Sequence, residues 1–563
     1  MGENLDMQGG RVLLSVLMAS ALVMTIKAAP FFSVEAEDWR TTLNYEGCVE
    51  ASARPLEGKM AFVITKNKNG HDTQWEIESP KFAVDGGKFV AVRLRTRSTV
   101  SMMFSVPFHG RANTCLRYFD RDGKCLTGDD KPLYFPVSTD WTNVIIGCAV
   151  PTNAAMAVVL IGGDRPDVGK DDRIEISEVK VAYADAARFA ERPKGAAGQE
   201  PRYTLREDGV VLDRGVPFFP IGIYAVSKRE FNNFSFDRAL KGLKDAGFNV
   251  AHAYCVSAGD EFADLAANAM KYDMRLIVSP RVAGGVVEGV RRARHNSPIL
   301  AWYLGDDTST HTTPEVLRED HDICHLLDKA HFTCQADGVG EGVNGSYNRF
   351  AGCTDVFLPE IYPVSGDDGR AAAAEVVKNM ETVREILKKQ TVPKSVWPII
   401  QYYHGWGTSR FPTFAELRAM SFLALIHGGR GITWYTYGGY NGNLGVWATA
   451  ETWSNICTVA GQIASIRDYL VGKDGPGPAI QIMEGAKKDP LGFDSVTALI
   501  KRGTSKDLLI AANASTGPVK VRFGLSGYKG VREVFEKRRC ALAEGSFSDE
   551  YETFAVHVYE LDR

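Results

Sequence analysis

Hydrophobic and polar residues alternate in short stretches along roughly the first third of the chain. The segments 88–95 and 155–161 show a two-residue period, and turns rich in Gly and Asp separate such segments from one another. A two-residue period places apolar side chains on one face of a strand, and many short strands of this kind are typical of a β-sandwich. We therefore predict a β-sandwich over residues 30–190, followed by a polar linker over residues 191–202.

The pattern changes after about residue 217, where apolar strands alternate with amphipathic helices. Eight apolar segments lie at residues 218–224, 248–254, 274–279, 299–307, 331–336, 355–362, 395–403 and 431–437. Eight strand–helix units of this length are the number and size of a (β/α)8 barrel, which we place over residues 203–474. A doubly wound sheet is the alternative, but the segment IYAVS after the first strand contains no glycine-rich phosphate loop.

Strand-like alternation returns after the eighth unit, for example at residues 507–513 and 552–560. This pattern predicts a small antiparallel β-sandwich over residues 475–563. The expected fold class is therefore multidomain, with a β-sandwich, a (β/α)8 TIM barrel and a C-terminal antiparallel β-sandwich.

The N-terminus has the features of an export signal. Arg11 precedes an apolar run at residues 12–26, and small residues follow at 28–29. This run is short for a membrane span, which needs about 20 residues. We predict a signal peptide over residues 1–29 and an exported protein (periplasmic, cell-surface or extracellular), with a retained anchor as the alternative. We expect no membrane span in the mature chain.

Net charge and cysteine spacing exclude some classes of ligand for this protein. The formal net charge is −4 over 563 residues, so we expect no nucleic-acid partner. The ten cysteines show no CxxC spacing, and the sequence predicts neither a metal centre nor a cofactor in the barrel. In the first sandwich, Glu35 and Glu37 could hold a structural Ca²⁺, with a solvated acidic face as the alternative.

Acidic residues stand where barrel strands end. Asp306 and Asp307 follow the fourth strand, and Glu360 lies at the end of the sixth. The C-terminal ends of the strands form the active-site face of such a barrel, so we expect these carboxylates at its mouth. Aromatic and polar residues that we predict to bind a poly- or oligosaccharide lie at or near the same ends: Tyr224, His252, Tyr254, Arg281, Trp302, Tyr362, Gln401, Tyr403, His404, Trp406, Trp434 and Tyr437.

Three stretches of the predicted barrel resemble segments of a known group of enzymes. The stretch WYLGDD, residues 302–307, is similar to the fourth-strand motif of (β/α)8 glycoside hydrolases, in which Glu follows Trp-Tyr-x-Gly-Asp. The stretch DVFLPEIYP, residues 355–363, is similar to their sixth-strand segment, and residues 410–432 resemble their seventh helix and the approach to the eighth strand. The stretch SVEAEDW, residues 33–39, resembles the first strand of sugar-binding β-sandwich modules. The resemblance implies a glycoside hydrolase.

The chain departs from this group at two points. Asp307 replaces the Glu of the fourth-strand motif, and the seventh strand supplies no nucleophilic Glu. We therefore expect Asp307 as a proton-holding acid and Glu360 as an ionised nucleophile or base, separated by a gap that admits water and favours inversion. As alternatives, Asp306 or Asp307 caps the following helix, and the protein is a non-catalytic carbohydrate-binding protein or an envelope structural or adhesion protein.

Overall fold

The computed structural model describes residues 32–34, 38–44, 49–56, 59–66, 74–98, 113–126, 138–164, 173–184, 199–227, 234–257, 260–281, 285–312, 314–340, 346–365, 369–405, 408–439 and 444–563. The predicted signal peptide and the candidate calcium ligands Glu35 and Glu37 lie outside these ranges, as does Trp406. The side chain of Tyr254 is also not among those described.

Two antiparallel sheets form the N-terminal region. Their strands are β1 (Phe32–Val34), β2 (Arg40–Asn44), β3 (Val49–Leu56), β4 (Lys59–Lys66), β5 (Gln74–Glu78), β6 (Phe82–Ala83), β7 (Phe89–Ser98), β8 (Asn113–Phe119), β9 (Ser138–Ala149), β10 (Met156–Asp164) and β11 (Arg173–Tyr183). In β7 the side chains of Val92 and Leu94 are buried and the arginines between and after them are partly exposed. The alternation in the sequence thus marks the two faces of a strand, as predicted.

A three-stranded antiparallel meander precedes the barrel and was not predicted. It consists of β12 (Tyr203–Leu205), β13 (Val211–Asp213) and β14 (Val216–Phe218). Tyr203 and Val211 are buried in the cluster of side chains that fills the barrel interior, together with Phe332 and Val356 from the beginnings of two barrel strands. The meander therefore closes the end of the barrel opposite the predicted active-site face.

A closed barrel of parallel strands follows. Its elements, in chain order, are β15 (Ile221–Tyr224), α1 (Phe236–Asp245), β16 (Val250–Ser257), α2 (Asp260–Lys271), β17 (Arg275–Ser279), α3 (Gly285–Ala293), β18 (Ile299–Gly305), α4 (Thr308–His311), α5 (Pro314–Leu327), β19 (Phe332–Gly338), α6 (Ser346–Phe350), β20 (Val356–Ile361), α7 (Ala372–Leu387), β21 (Ser395–Val396), β22 (Ile399–Gln401), α8 (Phe414–Ile426), β23 (Ile432–Tyr435), α9 (Ala450–Ser465) and α10 (Arg467–Leu470).

Two pairings close the ring. β23 pairs with β15, and β19 pairs with β20. Both β21 and β22 pair with β20, and together they form one interrupted seventh strand with Pro398, which lacks an N–H donor, at the break. Within the described residues the ring has eight strand positions, which confirms the predicted barrel and excludes a doubly wound sheet.

Residue parity along each strand decides which side chains reach the barrel interior. In β18, Ala301 and Tyr303 belong to the interior cluster, whereas Trp302 and Leu304 pack outward against the helices. A parallel barrel covered by helices buries both faces of its strands, so these strands are continuously apolar. The apolar pattern alone consequently does not distinguish the side chains that face the interior.

The C-terminal region is a β-sandwich of two antiparallel sheets, as predicted. Its strands are β24 (Ala479–Glu484), β25 (Val496–Arg502), β26 (Lys506–Asn513), β27 (Val519–Gly524), β28 (Gly530–Glu533), β29 (Arg539–Cys540), β30 (Ser546–Tyr551) and β31 (Val556–Asp562). The sandwich packs on α8, where the Arg418 guanidinium donates to the Val556 carbonyl over 2.7 Å. Among the described helices, we find none long and apolar enough to cross a membrane.

Candidate active site

A carboxylate held by two phenols lies at the mouth of the barrel. Asp306 directly follows β18, and one of its carboxylate oxygens accepts hydrogen bonds from the hydroxyls of Tyr224 and Tyr303, each over 2.5 Å. The two hydroxyls are also 2.5 Å apart. Strands one and four thus supply the donors, and the two contacts fix the direction of the Asp306 carboxylate.

Asp307 occupies the position before helix α4 without capping it. Its backbone is left-handed, with φ 41° and ψ 47°, and its side chain makes no capping hydrogen bond. The alternative in which Asp307 is a helix cap is therefore wrong. Instead, the carboxyl groups of Asp307 and Glu360 hydrogen-bond to each other. Such a bond needs a proton on one partner, because two ionised carboxylates have no donor between them.

Asp337 of β19 holds the beginning of helix α4, a role that the side chain of a capping residue usually has. Its carboxylate, which is buried, accepts from the Thr308 hydroxyl over 2.8 Å and from the backbone N–H and hydroxyl of Ser309 over 2.6 Å and 3.0 Å. Gly305 allows Thr308 to approach closely, since a Cβ at residue 305 would meet the Thr308 Cγ2 at 2.6 Å. Asp337 therefore sets the position of Asp307, although no sequence motif marks it.

Burial and mutual repulsion raise the pKa values of the carboxyl groups at the mouth. Burial, with the charges of Asp306 and Asp307, holds the pKa of Glu360 well above its ordinary range. Burial and the charge of Asp307 raise the pKa of Asp306 to about 7, against the opposing effect of the two tyrosine hydrogen bonds. The pKa of Asp307 is also raised by burial, while its hydrogen bond with Glu360 lowers it. These shifts favour the proton on Glu360, which is the reverse of the expectation that Glu360 is ionised.

Aromatic rings from several strands surround these groups. Tyr435 lies between three others, with ring centroids 5.3 Å from Tyr224, 5.8 Å from Tyr362 and 5.4 Å from Tyr403. Tyr362, Tyr403 and Tyr224 are all predicted site residues, and the structure brings them together. Tyr435 was missed, because three aromatic residues lie within residues 434–437 and only Trp434 and Tyr437 were chosen from them.

His252 of the second strand completes this aromatic lining. Its ring is fully buried, with centroids 4.1 Å from the ring of Tyr224 and 4.5 Å from that of Tyr303. Burial holds the pKa of His252 well below its ordinary value, so the ring is neutral at physiological pH. His252 therefore adds a neutral aromatic wall and no positive charge to the site.

Two predicted tryptophans face away from the mouth. The Trp302 indole N–H donates to the Asp328 carboxylate over 2.9 Å, and the Trp434 indole N–H donates to the Ser421 hydroxyl over 3.0 Å. Both side chains are fully buried between the strands and the outer helices. Their assignment to substrate binding is therefore wrong, because each has the outward parity on its strand.

Four further predicted residues make contacts elsewhere. The Gln401 amide is fully used by the backbone of Val364, donating over 2.9 Å and accepting over 2.7 Å. Arg281 pairs with Asp320 of α5 over 2.5 Å. The two others are Tyr437, which packs against Trp447 and Trp453, and His404, whose backbone bridges to Leu444 and whose ring lies near Phe411.

Two adjacent residues of β18 test which side chains of this strand face the mouth: Trp302 faces outward and Tyr303 contacts Asp306. We expect Trp302→Phe to leave KM unchanged and to lower the free energy of unfolding by about 1–3 kcal/mol, because buried Asp328 loses a donor. We expect Tyr303→Phe to lower kcat about tenfold, because Asp306 loses one of its two phenol donors. Urea unfolding of both variants, with steady-state kinetics on any substrate that the protein turns over, checks this. A raised KM for Trp302→Phe with unchanged stability would contradict the outward orientation.

One group of described residues outside the mouth has the composition of a metal site. His321, His325 and Asp355 each offer a ligand atom, and these atoms lie within 4.8 Å of one another. The carboxylates at the mouth do not form such a group among the described residues.

Comparison with known proteins adds the following. No model of a protein family matches the chain, and no curated protein matches it. The solved structures that match include glycoside hydrolases. One is a glycoside hydrolase family 5 protein from Bacteroides vulgatus, with 14% identity and a TM-score of 0.46, over 64% of this chain and 93% of that chain. Another is an alpha-amylase from Geobacillus thermoleovorans, with 14% identity and a TM-score of 0.42, over 61% and 98%.

A third match is the glycoside hydrolase family 30 xylanase Xyn30A from Clostridium acetobutylicum, with 11% identity and a TM-score of 0.37, over 61% of this chain and 96% of that chain. Matches at this level carry no argument about chemistry. The closed ring of parallel strands itself establishes that this chain contains a (β/α)8 barrel between regions of antiparallel sheet.

Proposed function

We propose that this protein is an exported glycoside hydrolase that cleaves O-glycosidic bonds in a poly- or oligosaccharide. The observation that carries the proposal is the side-chain hydrogen bond between the carboxyl groups of Asp307 and Glu360 at the mouth of the barrel, from which we infer that the pair holds one proton. Cleavage of a glycosidic bond needs one carboxylic acid and one carboxylate, and this pair supplies both near neutral pH. The surrounding tyrosines offer ring faces and hydroxyls to a sugar.

We assign the two roles from the directions of the pKa shifts, which favour a proton on Glu360 over one on Asp307. Glu360 donates its proton to the glycosidic oxygen as the bond between that oxygen and the anomeric carbon breaks. Asp307, the ionised partner, attacks the anomeric carbon, and water activated by the deprotonated Glu360 then releases the sugar. A hydrogen bond between the two carboxyl groups is incompatible with the gap of about 6.5–9.5 Å that admits water in inverting enzymes, in contrast to the wide gap we predicted. We therefore propose retention of configuration.

Asp306 is the third carboxylate of the site. Its hydrogen bonds from Tyr224 and Tyr303 stabilise the charged form and hold it beside the reacting pair. Above its raised pKa of about 7, the Asp306 carboxylate carries a negative charge that favours the positive charge developing on the sugar ring in the transition state. We propose that Asp306 acts in this electrostatic way and does not exchange protons with the substrate.

Removal of one buried charge tests the protonation scheme. The charge of Asp337 raises the pKa values of Asp306, Asp307 and Glu360. In Asp337→Asn, these three pKa values fall, so Glu360 loses its proton at lower pH. We expect the alkaline limb of the kcat/KM profile to move down by about one pH unit.

The matched control for this variant is Asp320→Asn, which removes a partly buried aspartate that pairs with Arg281. We expect it to leave both limbs of the pH profile in place. An unshifted alkaline limb in Asp337→Asn would show that the charge of Asp337 does not raise the pKa of the catalytic acid, and would contradict Glu360 in that role.

A non-catalytic carbohydrate-binding protein is the second candidate function. One observation favours it: the seventh strand offers Gln401, whose amide is fully used by Val364, where the resembling hydrolases have a nucleophilic Glu. A screen of natural and chromogenic glycans against the purified protein separates the two functions. Turnover that is lost in Glu360→Gln supports hydrolysis. Binding without turnover, unchanged in Asp307→Asn, supports the lectin-like function.

A further inference from the structure

A pair of histidines lies on one face of helix α5. His321 and His325 are one helical turn apart, so their side chains project in the same direction. Their ring centroids are 4.5 Å apart. Asp355, the residue before β20, lies opposite them, with one carboxylate oxygen 2.8 Å from the His325 Nε2. Residues that are 30 positions apart in the sequence thus converge between a helix and the start of a strand.

Backbone and hydroxyl donors orient the carboxylate of this group. The Thr333 N–H and hydroxyl both donate to the same Asp355 oxygen, over 2.8 Å and 3.1 Å. The Thr333 hydroxyl lies 2.7 Å from the His321 Nδ1. Metal sites typically hold their ligands with outer hydrogen bonds of this kind. The three ligand residues are only partly buried, so an ion from solvent can reach them.

The donor set selects the kind of ion. Two imidazole nitrogens and one carboxylate oxygen suit zinc, which takes four ligands and accepts both donor types, whereas calcium and magnesium need mainly oxygen. Two cations oppose an ion here, since the charges of Lys394 and Arg318 act on His321. We expect them to reduce affinity, and the Lys394 ammonium is itself bound to the Thr354 carbonyl over 2.5 Å.

We propose that His321, His325 and Asp355 bind one zinc ion, with water as the fourth ligand, and that this ion fastens helix α5 to the beginning of β20. The role is structural, because Asp355 and Glu360 lie five residues apart along one strand direction, about 16 Å. The site is therefore separate from the carboxylates at the barrel mouth. The proposal does not depend on the proposed hydrolysis.

The experiment is a zinc titration of the purified full chain after dialysis against a chelator, followed by calorimetry and by metal analysis of the protein. We expect one zinc ion to bind with a dissociation constant in the micromolar range and to raise Tm. In His325→Gln, which keeps a polar side chain facing Asp355, we expect affinity to fall at least 30-fold, on the order of 2 kcal/mol. Cobalt in place of zinc should give the visible absorption of a four-coordinate ion.

The matched control is His427→Gln. His427 also contacts a carboxylate, that of Glu381 over 2.6 Å, but lies outside the group. We expect this variant to bind zinc as the unchanged protein does. The described cysteines are free thiols that could bind zinc adventitiously, so the difference between the two variants decides the result. Absence of saturable one-to-one binding, or equal affinity in the His325 and His427 variants, would overturn the proposal and leave a hydrogen-bonded network.

Discussion

Replacement of Glu360 by glutamine is expected to lower kcat/KM on natural glycosides by about 10³-fold. Glutamine preserves the shape of the side chain and removes the proton that the leaving oxygen needs. Substrates with activated aryl leaving groups, which depart without protonation, should lose much less activity in the first step. Rates measured on a series of aryl glycosides with increasing leaving-group pKa, for both proteins, give the comparison.

The same variant has an expected effect on stability that serves as its control. The pKa of Glu360 is higher in the folded protein than in the unfolded chain. As pH rises from the unfolded pKa toward the folded one, the unfolded chain loses this proton first, so the free energy of unfolding falls. Glutamine cannot ionise, and the variant should therefore unfold at a higher Tm than the unchanged protein near neutral pH. A variant that is stable and still fully active on natural glycosides would remove Glu360 from the mechanism.

Removal of the Asp307 carboxylate is expected to lower kcat/KM by about 10⁴-fold on every substrate, whatever its leaving group. The backbone at this residue suggests which variants to make. With φ at 41°, Asp307 lies in the left-handed region that Gly and Asn tolerate best, so Asp307→Gly and Asp307→Asn should keep the geometry of helix α4. Circular dichroism and Tm check that both variants fold.

Azide offers a positive result for the same position. In Asp307→Gly, azide can enter the space left by the carboxylate and form a carbon–nitrogen bond as the glycosidic bond breaks, with the leaving oxygen taking its proton from Glu360. The expected product is a glycosyl azide of configuration opposite to that of the substrate, identified by NMR. The unchanged protein should release the sugar with its configuration retained. Inverted product from the unchanged protein would contradict Asp307 as nucleophile, although it could still be a base.

Sequence patterns predicted the elements of the barrel more reliably than the orientation of their side chains. The fourth strand illustrates the difference. Its apolar run and its acidic end were sufficient to place Asp306 and Asp307 after a buried strand. Every residue of that strand is buried, however, and no polar position marks the outward face. Trp302 was consequently assigned to the site when its neighbour Tyr303 is the residue that contacts Asp306.

The roles of the two carboxyl groups required the structure for a different reason. Protonation depends on which charges surround a group in three dimensions, and Asp337 comes from a strand that carried no recognised motif. The fold also places Glu360 close to both Asp306 and Asp307, and the negative charges of these two residues raise the pKa of Glu360. A resemblance to a strand motif transfers a position in the fold, whereas the local field decides whether that position is acid or base.

The C-terminal sandwich is joined to the barrel by helix α8. Ten of the thirteen residues of this helix are buried, Leu417, Phe422 and Leu425 among them, so the helix has hardly any solvent face. One continuous core contains these residues together with Leu508 and Val558 of the sandwich. A module that shares its core in this way cannot be exchanged between proteins as an independent cassette. Recombination during evolution would have to transfer barrel and sandwich together, or rebuild the surface of α8.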